Sequence, residues 1–395
     1  MSSTNDGENG RISRRRFLEL AGALVAAGVV ATNLGRTTDA LRALGSPIAV
    51  RSVADQRAAV GSKVPANSFS IFWITDTQFL SESNPALFKK MTSWIADNWG
   101  QYNGKLVIHT GDVVQTGANQ DEWANADEAM AVLHENGIPY SWCAGNHDDM
   151  VQDDQTSGWK GHLWSTAFNP SAIKDKVNRL KGVHWVGHYH DGMNTAVTFR
   201  AEGLDFLVVN LEWKGDSSAL EWARGILDDP AYKDHYVIVA PHAYIDAFGS
   251  LADPRWFDEL SEFIGGLTPI LDSHSSNVFL TLNGHFATDC GYNTKALVHG
   301  RNQLMFDRQD SLDKPTSRTG RGVDESDSKT PDSEKVGGAT VTILTLVPSR
   351  NTIWVKTYDT YTEKWREGPY EQYSMAMLPA LPRHSLPAPV TLSVS

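Results

Sequence analysis

Cysteine and positive charge are both scarce in this 395-residue chain. Two cysteines are too few for a disulfide framework or a cysteine-rich zinc site, so any metal must be held mainly by His, Asp and Asn side chains. Lys and Arg number 35 against 47 Asp and Glu, for a net charge of -12. Proteins held on nucleic acid through its phosphates carry the opposite excess. We therefore expect no nucleic-acid scaffold as a partner.

A long apolar run is also lacking. The stretch from Leu20 to Val30 is apolar but shorter than the roughly 18 residues of a membrane span. It follows Arg14, Arg15 and Arg16, a pattern typical of a twin-arginine export signal. We predict that residues 1–40 direct export through the twin-arginine translocation machinery, to the periplasm, the cell surface or the exterior. The alternative is an uncleaved signal that anchors the protein in the membrane.

Apolar runs alternate with amphipathic helical segments in the first half of the chain. Phe69 to Thr75, Lys105 to Thr110 and Tyr140 to Ala144 each predict a buried strand, and helices are predicted after Asn84 and Asn119. Strands that alternate with helices favour a parallel sheet.

The second half is richer in strands. Its predicted strands are Thr195 to Arg200, Phe206 to Leu211, Tyr236 to Ala240, Val278 to Leu282, Thr340 to Val347 and Thr352 to Tyr358, with helices near Ala219 to Leu227 and Pro254 to Ile264. We predict a linker at residues 41–65, one domain at 66–375 and an irregular tail at 376–395. Asp307 to Lys335 is polar and charged and predicts a long mobile excursion.

Five predicted strands are each followed by a polar side chain with ligand chemistry. The segments are Asp76-Thr77-Gln78, Gly111-Asp112, Gly145-Asn146-His147-Asp148, Pro241-His242 and Gly284-His285. In an α/β sheet, residues just beyond the carboxyl ends of the strands converge on one crevice. Any one of the segments could be an ordinary turn or a structural histidine. No structural requirement explains all five.

In this order the segments resemble the motifs of the calcineurin-like metallophosphoesterases, which run Asp-x-His, Gly-Asp-x-x-Asp/Asn, Gly-Asn-His-Asp/Glu, a lone His and Gly-His-x-His. The resemblance covers about residues 69–360, and Gly145 to Asp148 is an unchanged copy of the central motif. It implies an α/β fold, a four-layered α/β/β/α sandwich with two mixed sheets flanked by helices. It also implies a hydrolase that cleaves small phosphomonoesters or phosphodiesters by attack of a metal-bound hydroxide, and the twin-arginine pattern predicts that this hydrolase is exported.

The resemblance also implies one or two divalent cations, with Mn, Mg, Ca, Fe and Zn all open. The implied metal ligands are Asp76, Asp112, Asn146, His242 and His285, and Gln78 is predicted as a weak ligand at the position where the family has His. Asp112 would bridge the two cations and His147 would assist the leaving group, which makes these two the implied catalytic residues. Asn146 and His147 would contact the phosphate.

Two departures from the family pattern affect the same cation. Gln78 stands where the first motif has His, and Ala287 stands where the last motif ends in His. An oxygen-rich position favours Mg²⁺, Mn²⁺ or Ca²⁺ over Zn²⁺. Asp289 is a candidate substitute ligand, although a loop aspartate bonded to its own backbone is the favoured interpretation.

Other residues near these motifs have open assignments. His188 and His190 alternate along an extended segment and could line the substrate crevice, or could be a histidine pair on an edge strand. Cys143 and Cys290 could form a disulfide or remain two buried thiols. Trp213 could border a groove or belong to the core.

Two other functions remain open at this point. One is a catalytically degenerate binding protein of the cell surface or exterior that holds one metal. The other is a one-metal hydrolase of nucleotide or pyrophosphate bonds. The intact His147 favours an enzyme, because a pure binder gains nothing from a leaving-group acid.

Overall fold

The computed structural model describes residues 64–149, 166–246, 249–252, 260–286, 294–308, 338–367 and 371–378, and fourteen strands within them form two sheets. The strands are β1 Phe69–Ile74, β2 Gly104–His109, β3 Tyr140–Trp142, β4 Val183–Tyr189, β5 Asn194–Ala201, β6 Leu204–Leu211, β7 Tyr236–Pro241, β8 Val278–Asn283, β9 Thr294–Val298, β10 Arg301–Met305, β11 Thr340–Val347, β12 Thr352–Asp359, β13 Lys364–Trp365 and β14 Gln372–Ala376. The helices are α1 Gln78–Ser83, α2 Pro85–Asn98, α3 Gln120–Glu135, α4 Pro170–Asn178, α5 Ser217–Leu227 and α6 Ser261–Ser273.

Both sheets are mixed. The first has the order β13-β12-β11-β1-β2-β3, with β14 also paired to β12, and its strands β1, β2 and β3 are parallel as predicted. The second has the order β4-β5-β6-β7-β8-β10-β9. Its four central strands, β6, β7, β8 and β10, are parallel. The carboxyl ends of parallel strands from both sheets can therefore meet at one edge of the molecule.

The side chains of β1 show how the layers stack. The Phe69 ring lies 5.1 Å from that of Phe206, and the Trp73 ring lies 4.4 Å from that of Phe306, so this face packs on the second sheet. Phe72 points the other way and stacks on Trp99 at 5.4 Å, beside α2. Alternation along one strand thus fills two layers of the core.

Helices cover the outer face of each sheet. Buried residues of α2 and α3, including Phe88 and Met130, pack in the larger core with the first sheet. Buried residues of α5 and α6, including Leu220 and Phe263, pack in a second core against the second sheet. The four-layered α/β/β/α sandwich that the resemblance implied is confirmed.

Two sequence predictions differ from the structure. The helix predicted to end at Ile264 continues to Ser273 as α6, although Gly265, Gly266 and Pro269 are poor helix formers. Its buried apolar side chains pack on the second sheet and outweigh those propensities. Asp307, which we assigned to the mobile excursion, is fully buried just after β10. Residues 309–337 lie outside the described ranges.

Within the ranges given above, no helix is both long and apolar enough to cross a membrane. The predicted export signal, residues 1–40, lies outside them.

Candidate metal centre

The residues predicted as metal ligands lie together at the carboxyl ends of the central strands. β1, β2 and β3 are followed by Asp76, Asp112 and Asn146. In the second sheet, β7 and β8 are followed by His242 and His285. Both aspartates and both histidines are buried, and Asn146 is half-buried.

The backbone is strained at three of these residues. Asp76, Asp112 and His285 have φ angles of 51°, 53° and 70°, in the left-handed region that few residues other than glycine adopt. Contacts between the loops hold them there: the Asp76 N–H donates to Gly111 C=O at 3.0 Å, and the His285 N–H donates to Asp76 Oδ1 at 3.1 Å. Strain fixed in this way clusters at functional sites.

Asp112, His242 and His285 form a compact group of metal-ligating atoms. One ligand atom from each lies within 4.8 Å of the others. Asn146 Oδ1 joins them, 2.9 Å from His285 Nδ1 and 3.3 Å from His242 Nε2. Two imidazoles with an amide oxygen and a carboxylate oxygen are a donor set suited to a divalent transition cation.

The tautomer of His242 supports that assignment. Its Nδ1 lies 2.7 Å from the Thr110 carbonyl oxygen, which can only accept a hydrogen bond, so Nδ1 carries the proton. In the neutral ring, Nε2 then has a lone pair, and it faces Asn146 Oδ1 and, at 3.5 Å, Asp112 Oδ2. Three electron-rich atoms directed at one another fit a cation between them. Fixing one ring nitrogen by a backbone carbonyl is the usual way a ligating histidine is oriented.

Glycines allow this close approach. A Cβ atom at Gly145 would overlap Asp112 Oδ1, and one at Gly284 would overlap Asp76 Oδ2. A Cβ atom at Gly111 would lie 2.7 Å from His242 Nδ1. Each glycine therefore leaves the space in which a carboxylate or an imidazole sits.

An oxygen-rich group lies beside the imidazoles and consists of Asp76, Gln78 and Asp112. Thr75 Oγ1 donates to Asp76 Oδ2 at 2.5 Å and accepts from Thr110 Oγ1 at 2.6 Å, which fixes the Asp76 carboxylate. Gln78, the first residue of α1, is fully buried, and its Nε2 donates to Asp112 Oδ2 at 3.3 Å.

The two aspartates differ electrostatically. Burial raises the pKa of Asp76 well above its usual value, and the negative charges of Asp307 and Asp112 raise it further. Burial also opposes ionisation of Asp112, but His242, His147 and His285 outweigh it and hold the Asp112 pKa below its usual range. A bound cation would favour the ionised form of both.

His147 is oriented by two contacts with the loop after β2. Its backbone N–H donates to Asp112 Oδ1 at 2.9 Å, and its Nδ1 donates to the Gln115 carbonyl at 3.0 Å. Nε2 is then the ring nitrogen that can take up and release a proton. Gln115 thus orients the His147 ring through its backbone carbonyl.

Two supporting residues were not predicted from the sequence. Asp148 is buried and accepts from the backbone N–H groups of Val113, Val114 and Gly145 at 2.8, 3.1 and 2.8 Å. His109 is buried, accepts at Nδ1 from the Gly111 N–H and lies 2.9 Å from Thr77 Oγ1 through Nε2. The acidic end of the Gly-Asn-His-Asp segment was the available signal for Asp148, whereas His109 reads as an ordinary strand residue.

Trp213 covers the imidazoles. Its ring centroid is 4.1 Å from that of His285 and 5.9 Å from that of His242. Its backbone N–H donates to the Ala144 carbonyl at 3.0 Å. It therefore packs on the candidate metal group and joins the loop after β6 to the loop that carries Asn146.

Of the remaining residues named from the sequence, His188, His190 and Cys143 lie within the ranges that the structure describes. His188 is exposed near the end of β4, whereas His190 begins a 3₁₀ turn and lies 2.6 Å through Nδ1 from Glu212 Oε1. The structure thus pairs His190 with Glu212 and leaves the His188 side chain exposed. Cys143 is a buried free thiol. Ala287, Asp289 and Cys290 lie outside the described residues.

Several known proteins are similar to this chain. It is 30% identical over 220 residues, 55% of this chain, to the uncharacterized protein YvnB of Bacillus subtilis, of whose length it spans 15%. Among solved structures it is similar to GAP50, the anchor in the inner membrane complex of Plasmodium, with a TM-score of 0.42, 13% identity and coverage of 79% of this chain and 89% of that one. It is also similar to PhoD, with a TM-score of 0.39, 12% identity and coverage of 78% and 72%.

Residues 69–275 match the calcineurin-like phosphoesterase family. The match begins at β1 and includes Asp76, Asp112, Asn146, His147 and His242, and it spans more than half of the 395 residues. The chain belongs to the calcineurin-like phosphoesterase family, a family of hydrolases that act on phosphoester bonds.

Proposed function

We propose that the protein is an exported, metal-dependent phosphoesterase that hydrolyses small phosphomonoesters or phosphodiesters. The position of Asp112 is the observation that carries this proposal. Its Oδ2 lies 3.5 Å from His242 Nε2, within the candidate metal group, and its Oδ1 accepts from the His147 N–H. One carboxylate thus connects the cation position with the candidate acid.

The metal ligands divide into two sets that share Asp112. His242, His285 and Asn146 would hold one cation with it, and Asp76 and Gln78 would hold the other. Divalent cations in these positions would polarise the phosphoryl oxygens and lower the pKa of the attacking water. The ring of Trp213 packs against His285 on one side of these ligands.

His147 would protonate the leaving oxygen. The Gln115 carbonyl accepts from Nδ1, so Nε2 is the atom that would give up the proton. His147 is half-buried, and Asn146 precedes it in the same loop. Release of a poor leaving group depends on this proton more than release of a good one.

The buried carboxylates of the site support a role for bound cations in hydrolysis. Asp76 and Asp112 are both buried, and by themselves they would repel an anionic ester. Bound cations invert that field.

The export route rests on the twin-arginine pattern alone, and a reporter fused after residue 40 and followed in a strain lacking that translocation machinery tests it.

A one-cation hydrolase of nucleotide or pyrophosphate bonds is the second candidate. The Gln78 Nε2 donates to Asp112 Oδ2, so here the amide presents a donor, where a metal ligand must present an oxygen. This observation favours the imidazole-rich position as the stronger of the two. A non-catalytic one-metal protein would share that feature and would hydrolyse nothing.

Hydrolysis by the full chain tests the proposal. The substrates are p-nitrophenyl phosphate and bis-p-nitrophenyl phosphate, each with added Mn²⁺, Mg²⁺, Ca²⁺ or Zn²⁺, followed by ATP and pyrophosphate. We expect turnover with at least one ion, abolished by Asp112→Asn. Asp205→Asn is the matched control, because Asp205 is only half-buried at the opposite end of β6, where it pairs with Arg200. No hydrolysis of any substrate, or equal rates for the two variants, would reject the proposal.

A further inference from the structure

Four buried side chains form a continuous hydrogen-bond relay that ends at the metal centre. The indole Nε1 of Trp73 donates to Thr110 Oγ1 at 3.0 Å, and Thr110 Oγ1 donates to Thr75 Oγ1 at 2.6 Å. Thr75 Oγ1 then donates to Asp76 Oδ2 at 2.5 Å. All four residues are at most 5% exposed, so the relay is shielded from bulk water.

The indole sets the direction of the relay. An indole N–H can only donate, and a threonine hydroxyl has a single hydrogen. Because Thr110 Oγ1 accepts from Trp73, the hydrogen of Thr110 is left for Thr75, and the hydrogen of Thr75 is left for Asp76. Every hydrogen of the relay therefore points toward the carboxylate, which accepts.

The relay lies between the two sheets. Trp73 and Thr75 are two residues apart on and just after β1, so their side chains point to the same face of the first sheet. On that face the Trp73 ring packs 4.4 Å from the ring of Phe306, which follows β10 of the second sheet. A relay on this face can therefore reach the loops that follow the strands of the second sheet.

Asp76 connects the relay to the turn that follows β8. Its Oδ1 and Oδ2 accept from the His285 N–H at 3.1 and 3.3 Å. A Cβ atom at Gly284 would overlap both Thr75 Oγ1 and Asp76 Oδ2, so the turn lies directly against the end of the relay. His285 has a φ angle of 70°, and contacts must hold such a backbone in place. The Asp76 carboxylate supplies that contact.

Thr110 also holds the other imidazole. Its carbonyl oxygen accepts from His242 Nδ1 at 2.7 Å, while its hydroxyl belongs to the relay that reaches His285 through Asp76. His242 and His285 are the two imidazoles of the compact group that contains Asp112. Both are therefore positioned from Thr110, one through the backbone and one through the hydroxyl.

We propose that Trp73 and Thr110 are positioning residues, which place His242 and His285 for a shared cation through this relay. Groups that orient metal ligands without contacting the metal strongly affect metal affinity. The proposal rests on the proposed function in one respect, since it takes the two imidazoles as ligands of a cation. It does not depend on a second cation.

Titration of the chelator-stripped full chain with Co²⁺ tests the proposal. Thr110→Val removes the hydroxyl but keeps the side-chain shape and the backbone carbonyl that accepts from His242. We expect at least about tenfold weaker binding and an altered visible absorption of the bound Co²⁺, which reports the geometry of its ligands. Thr110→Ser keeps the hydroxyl and should restore the wild-type spectrum and nearly the wild-type affinity.

Thr345→Val is the matched control. Thr345 is a buried residue of β11 whose Oγ1 lies 2.8 Å from Ser70 Oγ, near the start of β1. This variant also loses a buried hydroxyl from a pair of hydroxyl groups in the first sheet. It should lower the stability of the fold about as Thr110→Val does and leave Co²⁺ binding unchanged.

A double variant separates the relay from ordinary core packing. Trp73→Phe keeps an aromatic ring and removes the N–H that directs the relay, so it should also weaken Co²⁺ binding. Added to Thr110→Val it should cost no further affinity, because the relay is already broken. A packing role for Trp73 would produce a further loss. Thr75→Val, which breaks the relay at its next link, is the second variant if Trp73→Phe fails to fold.

Wild-type affinity and spectrum in Thr110→Val would overturn the proposal. Equal losses in Thr110→Ser or Thr345→Val would overturn it too, as would additive losses in the double variant. Co²⁺ binding without ester turnover would reject the proposed function alone. Turnover together with unchanged Co²⁺ binding by Thr110→Val would reject the relay alone, and a wild-type chain that binds no Co²⁺ would overturn both.

Discussion

Asp148 joins the two loops that carry the central ligands. It accepts from the Val113 N–H and from the Gly145 N–H at 2.8 Å each, so it ties the chain just after Asp112 to the chain just before Asn146. Those two ligands come from adjacent parallel strands, β2 and β3, and this carboxylate fixes the spacing between them. Asp148, the last residue of the Gly-Asn-His-Asp segment, therefore has a structural role, whereas the role proposed for His147 is chemical.

Asp148→Asn should destabilise the fold and loosen the metal centre together. The amide can replace only one of the two oxygen acceptors, which leaves buried N–H groups facing an NH₂ group. We expect a loss of about 1–3 kcal/mol in the free energy of unfolding, measured in urea. A variant as stable as the wild-type chain, with unchanged Mn²⁺ affinity, would show that the loops do not depend on Asp148. Asp272→Asn serves as control.

His147→Asn should affect poor leaving groups far more than good ones. We expect turnover of phenyl phosphate to fall about a hundredfold, with a much smaller loss for p-nitrophenyl phosphate, because p-nitrophenolate departs without a proton. Metal content should stay unchanged, since His147 reaches Asp112 through its backbone N–H. The exposed His184→Asn is the control. Equal losses on both esters would remove the acid role.

Gln78→His should strengthen the second cation position. Gln78 is fully buried beside Asp112, and an imidazole there would add a nitrogen ligand in place of an amide that now donates to Asp112 Oδ2. We expect affinity for Zn²⁺ and Mn²⁺ to rise, with the larger gain for Zn²⁺. Competitive titration with a chelator measures both. Unchanged affinities would mean that position 78 does not contact the cation.

The pair formed by His190 and Glu212 should stabilise the protein more in acid. The hydrogen bond to Glu212 raises the pKa of His190 above its usual value. The added stability is therefore present below the unfolded pKa of about 6.5 and is lost as the pH rises through the higher folded pKa.

His190→Gln removes that charge and keeps a hydrogen-bonding side chain. It should cost more at about pH 5.5 than at about pH 9, by a few tenths to about 1 kcal/mol, because the His190 side chain remains partly exposed. Unfolding in urea at the two pH values measures the difference. The exposed His184→Gln should change little at either pH. A cost for His190→Gln that is equal at both pH values would contradict the pairing.

Much of the architecture could be predicted because local patterns and tertiary packing agree. Apolar runs such as Phe69 to Thr75 became buried strands, and Asn119 caps α3 by accepting from the Asp121 N–H at 3.0 Å. The predicted ligands converge because parallel strands place their carboxyl ends at one edge. The continuation of α6 past Pro269 was missed because burial against the second sheet decides it.

The burial of Asp307 could not be predicted in the same way. It follows a short strand and precedes a polar segment, which is also how a loop begins. Its burial depends on the pairing of β10 with β8, a contact between two strands that β9 separates in the sequence. The position of His190 could not be predicted either. A 3₁₀ turn begins at His190 and interrupts the alternation of an extended strand, which would have placed it on the same side as His188.

Equilibrium dialysis of the full chain against Mn²⁺, with Asp112→Asn dialysed beside it, tests the central proposal most directly. Asp112 is the residue that both ligand sets share, so its carboxylate should control all high-affinity binding. We expect tight binding to the wild-type chain and at least about tenfold weaker binding to the variant. Equal Mn²⁺ binding by the two chains, or none by the wild-type chain, would contradict a metal centre at these strand ends.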